Sequence, residues 1–186
     1  MTLTAMTRRV SILAAFALIP SAFAAAVTTE QLDMEKEGVQ LIRQVEEVAR
    51  DVRYHAGRLS SFAGGPQITR WTHAHHLDQI KSLVNEGLRP ALTRLEEIQP
   101  KLPDWKQQTV DRMIESAKAL AVDTSHAILA KAETGPVPPA VNAEYKGLVA
   151  KMYGHAEALV KTSDAAGAYA AARLKAHEAG VKVPRT

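Results

Sequence analysis

Residues 63–103 read "AGGPQITRWTHAHHLDQIKSLVNEGLRPALTRLEEIQPKLP". Both ends of this stretch are rich in Gly and Pro, which interrupt regular structure. Between them, apolar residues recur at spacings of three and four, the pattern of a helix with one buried face. Pro90 lies inside the pattern, where it removes a backbone hydrogen bond and clashes with the carbonyl one turn back. We therefore expect one helix from about Thr69 to Ile98, with a kink near Glu86–Arg89.

The same period continues on both sides of this helix. It runs from about Thr29 to Phe62, from Asp104 to about Ala132, and from about Ala140 to Ala179, where a break is expected near Ser163-Asp164. We find no strand-like alternation in the mature sequence. Helices of similar length joined by loops of about 5–7 residues lie beside their neighbours in sequence. The sequence thus predicts an all-α fold, an antiparallel up-down-up-down four-helix bundle.

The first residues have the pattern of a secretory signal peptide. Two arginines precede an uncharged apolar run, which ends at the small-x-small sequence Ala22-Phe23-Ala24. We expect residues 1–24 to be removed by cleavage after Ala24, residues 25–179 to form one helical domain, and residues 180–186 to be a disordered tail. The mature protein would then be periplasmic or secreted. An uncleaved N-terminal anchor is the alternative.

Charge and composition exclude several classes of function. The chain has 23 basic and 20 acidic residues, and loss of residues 1–24 leaves 21 basic residues against 20 acidic ones. Such near neutrality argues against a nucleic-acid partner. The absence of cysteine excludes disulfides, covalent c-type haem, iron–sulfur clusters and thiol catalysis. No phosphate-binding loop or nucleophile elbow is found, so we predict that the protein is not an enzyme and has no stable membrane span after cleavage.

The histidines suggest a site where helices meet. In an antiparallel bundle, two residues that are equally far before and after the centre of a loop lie at the same height on neighbouring helices. Reflecting a sequence position through the loop centre therefore predicts its neighbour. Reflection through a loop centred near residue 66 brings His55 beside His76, and reflection near residue 101 brings His76 to His126. His73 lies on the same helix face as His76, three residues away. Three helices are therefore expected to bring histidines to one end of the bundle.

These residues predict a divalent transition-metal site. Neutral imidazole is a good ligand for Zn, Cu or Ni, and a nearby carboxylate either ligates the ion or orients a histidine ring. Glu144 is a further candidate for support. The predicted metal ligands are His55, His73, His76, His126 and Asp123. The alternative is that these rings are half-exposed residues near helix ends, bonded to water or to the backbone.

Two short motifs resemble those of a known family. The sequences "WTHA" (71–74) and "WKQQTVDR" (105–112) are similar to motifs in a family of uncharacterised exported bacterial helical proteins. The likeness covers most of the mature chain. It implies an exported helical bundle and implies no activity.

A second resemblance concerns the opposite end of the predicted bundle. The runs "EQLDMEKEGV" (30–39) and "YAAARLKAH" (169–177) resemble parts of the soluble periplasmic b-type cytochromes, which hold a non-covalent haem between Met and His of the first and last helices. This implies Met34 and His177 as haem ligands. A further alternative is an envelope adaptor or protein-binding scaffold without a cofactor, whose Ala-rich last helix packs against a partner protein or a second copy.

Overall fold

Helices make up all the regular structure that a computed structural model describes, in residues 29–62, 69–133 and 142–179. The all-α prediction is confirmed for these ranges. The predicted signal peptide, residues 1–24, and the predicted tail, residues 180–186, lie outside them. The α-helices are α1 (Thr29–Phe62), α2 (Arg70–Ser82), α3 (Arg89–Ile98), α4 (Asp104–Glu133) and α5 (Ala143–Glu178). A π-helical turn (Leu83–Leu88) joins α2 to α3, and a 3₁₀ turn (Gln99–Lys101) follows α3.

Side-chain caps fix where two of these helices begin. The Thr69 hydroxyl accepts a hydrogen bond from the Thr72 backbone N–H at 3.3 Å, at the start of α2. Asn142 Oδ1 accepts hydrogen bonds from the backbone N–H groups of Glu144, at 2.9 Å, and Tyr145, at 3.2 Å. These caps place His73 and Tyr145 in the first turns of α2 and α5.

The π-helical turn lies where Pro90 predicts a kink. The Arg89 N–H bonds to the Val84 carbonyl, five residues back, so this turn is wider than an α-helical turn. Pro90 follows in the first turn of α3, where a missing N–H is tolerated. A Cβ added to Gly87 would lie 2.9 Å from Val48 Cγ1, so the turn and α1 approach closely there.

Apolar residues from all five α-helices form one core. α1 packs against α5 on one side and against α2, the π-helical turn and α3 on the other, while α4 packs mainly against α5. The largest fully buried apolar side chains include Leu59, Leu77, Ile80, Leu88, Leu95, Met113, Leu120, Met152 and Leu159. Within the described ranges, no helix has both the length and the apolar character needed to cross a membrane.

The break expected near Ser163-Asp164 is not observed, because α5 continues through it. Ser163 is buried, and its hydroxyl donates to the Leu159 carbonyl at 3.1 Å. That bond satisfies the hydroxyl inside the helix, so the helix need not open to satisfy it.

Contacts between α1 and the segment from α2 to α3 run in opposite order, so that residues early in α1 meet residues late in that segment. Glu37 bonds to Arg94 at 2.6 Å, Val48 lies against Gly87, and His55 bonds to His76 at 2.8 Å. The histidine pair therefore lies towards the end of α1 and near the middle of α2.

Candidate functional site

His55 of α1 and His76 of α2 form the contact that reflection through the first loop predicts. Their Nδ1 atoms are 2.8 Å apart, and their rings are half-buried, with centroids 5.1 Å apart. This prediction is confirmed for the pair. The hydrogen bond requires a proton on one Nδ1 and a lone pair on the other, so both rings cannot be fully protonated while it persists.

The surroundings of the pair favour neutral imidazole. Burial lowers the pKa of His55, and the nearby His75 lowers it further, against an opposing effect of Asp51. Burial also lowers the pKa of His76, followed by the effects of His55, His75 and Arg58. Both rings are therefore neutral at neutral pH. The neutral ring is the form that ligates a metal.

Two exposed aromatic side chains flank the pair. The Tyr54 ring meets His55 edge to face, with centroids 5.3 Å apart, and Trp71 stacks on His75 at 5.6 Å and 12°. The His75 ring is in turn 5.5 Å from the ring of His76. Tyr54 and Trp71 are 61% and 74% exposed. Together these five residues form an aromatic–histidine patch on the surface of α1 and α2.

His73 lies in the core rather than in this patch. It is fully buried, and its Nδ1 is 3.0 Å from the Tyr145 hydroxyl, which is also buried. We assign Tyr145 as the donor, because the phenol would otherwise have no acceptor. His73 then carries its proton on Nε2, which has no hydrogen-bond partner among the described residues.

Burial governs the ionisation of this buried pair. It raises the pKa of the Tyr145 hydroxyl. It lowers the pKa of His73, and the charge of Lys131 lowers that pKa further. Both groups are therefore uncharged at neutral pH, which is what a fully buried pair requires.

The remaining predicted ligands lie elsewhere. His126 and Glu144 are exposed. Asp123 is nearly buried, and its Oδ2 is 3.1 Å from Nε2 of His155 on α5. The sequence analysis did not single out His155. Reflection of Asp123 through the third loop, centred near residue 137, reaches within about one turn of it and could have found it.

The structure thus brings two of the five predicted metal ligands together. His55 and His76 meet, whereas His73 bonds to Tyr145 and Asp123 bonds to His155. In the three described ranges, no three His, Asp or Glu side chains are grouped so that they could hold one ion. The five-residue site predicted from the sequence is not assembled in this arrangement.

The residues proposed for haem lie at the other end of α1 and α5. Met34 is half-buried, and the side chain of His177 lies outside the described residues. A cavity of about 120 Å³ lies between α1, the start of α4 and α5. Pockets for drug-sized ligands usually measure about 300–1,000 Å³, so this one is small. Haem ligation by Met34 and His177 stays a prediction.

A larger groove separates the π-helical turn and α3 from α4. Its volume is about 240 Å³. Its floor is mainly apolar, with charged side chains from both walls at its rim. The lining residues are Val84, Leu88, Arg89, Leu92, Thr93, Glu96, Ile114, Ala117, Lys118 and Ala121.

Comparisons of the chain with models of known protein families, with curated proteins and with solved structures found no match. The geometry of the molecule is therefore the basis for assigning its function. The His55–His76 pair and the groove beside α4 are its two leading features.

Proposed function

We propose that the protein is an exported metal-binding protein whose His55 and His76 side chains together hold a divalent transition-metal ion. One observation carries this proposal: imidazole nitrogens from two different helices lie 2.8 Å apart at half-buried positions. Export is proposed from the signal peptide predicted in residues 1–24.

The geometry of the pair is close to that of two ligands of one ion. With metal–nitrogen bonds of about 2.0–2.1 Å, two ligands of a tetrahedral ion are about 3.3 Å apart. The two Nδ1 atoms would need to separate by about half an ångström for an ion to replace the shared proton. Small side-chain rotations on two helices suffice for such a change.

The protein would supply two ligands, and water or a second molecule would complete the coordination. Such an open site binds a metal less tightly than a closed site with four protein ligands, and it keeps positions free for exchange. Imidazole nitrogen suits Cu²⁺, Ni²⁺ and Zn²⁺, with Cu²⁺ the strongest of these by the general order of divalent affinities.

The proposal includes an antiparallel up-down-up-down four-helix bundle as the scaffold. The reversed order of contacts between α1 and the α2–α3 segment supports it. The Arg70 guanidinium reaches the carbonyls of Lys131 and Ala132, so the start of α2 is near the end of α4, as that topology requires.

Metal-dependent stability tests the site. Thermal unfolding is measured for the wild type, His55→Ala and His126→Ala, each with and without excess Cu²⁺, Ni²⁺ or Zn²⁺. At about 100 times Kd an ion bound only to the folded state adds about 2.7 kcal/mol. We expect the wild type and His126→Ala to gain this stability and His55→Ala to lose the gain. Equal gains in all three proteins, or none, would contradict the proposal.

A protein-binding scaffold without a cofactor is the second candidate, and the groove beside α4 favours it. Apolar floors with charged rims are common at protein interfaces. If two copies associate through this groove, the sedimentation coefficient rises with concentration for the wild type and stays at the monomer value for Ala121→Arg, which fills the groove. A wild type that is monomeric at all concentrations would exclude this dimer.

A further inference from the structure

The metal site proposed above is half complete within one chain. His55 and His76 offer two nitrogens, whereas Zn²⁺ in proteins takes four ligands in a tetrahedral arrangement. Within the described ranges, no third His, Asp or Glu side chain is grouped with them so that it could hold the same ion. The remaining ligands are therefore water or groups of another molecule.

The aromatic–histidine patch around the pair has the composition of a protein interface. Trp71 is 74% exposed and Tyr54 is 61% exposed, the two highest values among the large hydrophobic side chains in the described ranges. Tyr54 contacts His55, and Trp71 stacks on His75, whose ring is 5.5 Å from that of His76. Tyr and Trp are enriched among the residues that carry the binding free energy of protein interfaces. A protein that reached the ion would contact both rings.

The charges beside the pair have the spacing of a surface that is complementary to its own copy. Asp51 lies about one turn before His55 in α1, Arg58 lies about one turn after it, and both are exposed. Neither forms an ion pair within the described ranges, and the Arg58 guanidinium lies 4.9 Å from the centre of the Phe62 ring.

Two-fold symmetry would pair these charges. In a two-fold dimer, a contact of one residue with another is repeated with the two chains exchanged. An axis beside His55 that sets α1 antiparallel to its copy would therefore bring Asp51 of each chain opposite Arg58 of the other.

On the basis of the metal site proposed above, we propose that two copies of the chain share one Zn²⁺ ion on a two-fold axis, each copy supplying His55 and His76. Four imidazole nitrogens complete the tetrahedral coordination. The five residues of the aromatic–histidine patch are few beside the roughly 20–30 residues a side of a stable interface. Association therefore depends on the ion, which binds the dimer more tightly than the monomer.

The size and the metal content of the complex test the shared site. Protein freed of metal with EDTA is titrated with Zn²⁺, while sedimentation velocity gives the size and calorimetry gives the number of ions bound. We expect chains to pair as Zn²⁺ approaches one ion per two chains, and to separate when EDTA is added again.

The outcomes separate the shared ion from the metal site itself. A monomer that binds one Zn²⁺ ion per chain would overturn the shared ion and leave the proposed function intact. Failure to bind Zn²⁺ would also overturn the shared ion. The proposed function would then fall only if Cu²⁺ and Ni²⁺ failed to bind as well.

Three substitutions locate the contact. His55→Ala should lose the Zn²⁺-dependent dimer, and the matched control His126→Ala, which removes an exposed histidine of α4, should keep it. Ala121→Arg, which fills the groove beside α4, should also keep it, because the patch and the groove have no residue in common. A loss of the dimer in either of these two controls would contradict the proposal.

Charge reversal tests how the two copies are oriented. Asp51→Arg places like charges across the axis, and so does Arg58→Asp. Each variant alone should therefore form the Zn²⁺-dependent dimer with a Kd raised about tenfold or more. When the two variants are mixed, opposite charges face each other again, so the mixed dimer should form preferentially in native mass spectrometry. Wild-type affinity in both variants, or no preference for the mixed dimer, would overturn the proposal. Far-UV circular dichroism checks that each variant keeps its helices.

Discussion

Tyr145 and His73 are the residues whose hydrogen bond is most deeply enclosed. Removing the Tyr145 hydroxyl would leave His73 Nδ1 buried without a donor, in addition to the unpaired Nε2. We therefore expect Tyr145→Phe to lower the free energy of unfolding by about 1–3 kcal/mol. Urea unfolding followed by circular dichroism measures this change.

Tyr153→Phe on the same helix is the control for that substitution. Tyr153 is 38% exposed and forms no hydrogen bond within the described ranges, so its hydroxyl is already free to bond with water. We expect a change within about 0.5 kcal/mol. Equal losses in the two variants would show that the buried bond contributes little.

If the His55–His76 pair binds a metal, its affinity for the metal should depend on pH. An imidazole that takes up a proton cannot ligate a metal, so the affinity for Ni²⁺ should fall as the pH is lowered from about 7.5 to about 5. Isothermal titration calorimetry at several pH values measures this. An affinity that does not change over this range would indicate carboxylate ligands instead.

The reflection rule predicted one residue contact and failed for another, for a physical reason. The contacts of Arg70 with Lys131 and Ala132 agree with a second loop centred near residue 101, so His126 has about the predicted height. The direction of the ring is different, because Asp123 and Thr124 occupy the buried face of α4 and His126 faces solvent. Reflection fixes the height along a helix and says nothing about rotation around it.

Among the secondary-structure elements, the close approach of the π-helical turn to α1 can be tested at Gly87. A methyl group there would lie 2.9 Å from Val48 Cγ1. The Val48 side chain has little freedom to move, since β-branched residues in helices keep one χ1 rotamer. We expect Gly87→Ala to lower the free energy of unfolding by about 1–3 kcal/mol, despite the better helix propensity of alanine.

Gly154→Ala in α5 is the matched substitution. A Cβ there meets nothing within 4 Å and the residue is exposed, so only the helix propensity changes. We expect a gain of about 0.5–1 kcal/mol. Thermal unfolding of both variants distinguishes a steric effect from a propensity effect. A gain in both would mean that α1 and the π-helical turn have room to move apart.

The sequence predicted the helix boundaries well because Gly, Pro and capping residues mark them. α1 begins and ends where expected, and α4 ends one residue later than expected. α5 begins at Ala143 rather than Ala140, because Asn142 caps it. Pro90 predicted the place of the irregularity but not its form, since the wider turn also depends on the approach of Val48 to Gly87.

For the whole molecule, three buried or half-buried histidines predict a loss of stability in mild acid. Burial lowers the pKa values of His55, His73 and His76 in the folded state. The unfolded chain therefore binds more protons below about pH 6.5, and the free energy of unfolding falls as the pH drops through the folded pKa values. The stabilisation is fully present above that range.

Urea unfolding at pH 7.5 and pH 5 measures this effect without a large contribution from carboxyl titration. Replacing His55 by Ala should make the difference smaller, because one of the responsible groups is removed. Replacing the exposed His126 by Ala should leave it unchanged. A wild-type stability that is equal at the two pH values would contradict the expectation.

The buried phenol of Tyr145 also allows the rate at which the fold opens to be measured. Burial raises its pKa, so in strong alkali it stays protonated while the folded chain holds it. Tyrosinate absorbs in the ultraviolet where tyrosine does not. After a rapid jump to alkaline pH, a slow rise in tyrosinate absorbance would therefore give the rate at which α5 separates from α2 and hydroxide reaches the ring.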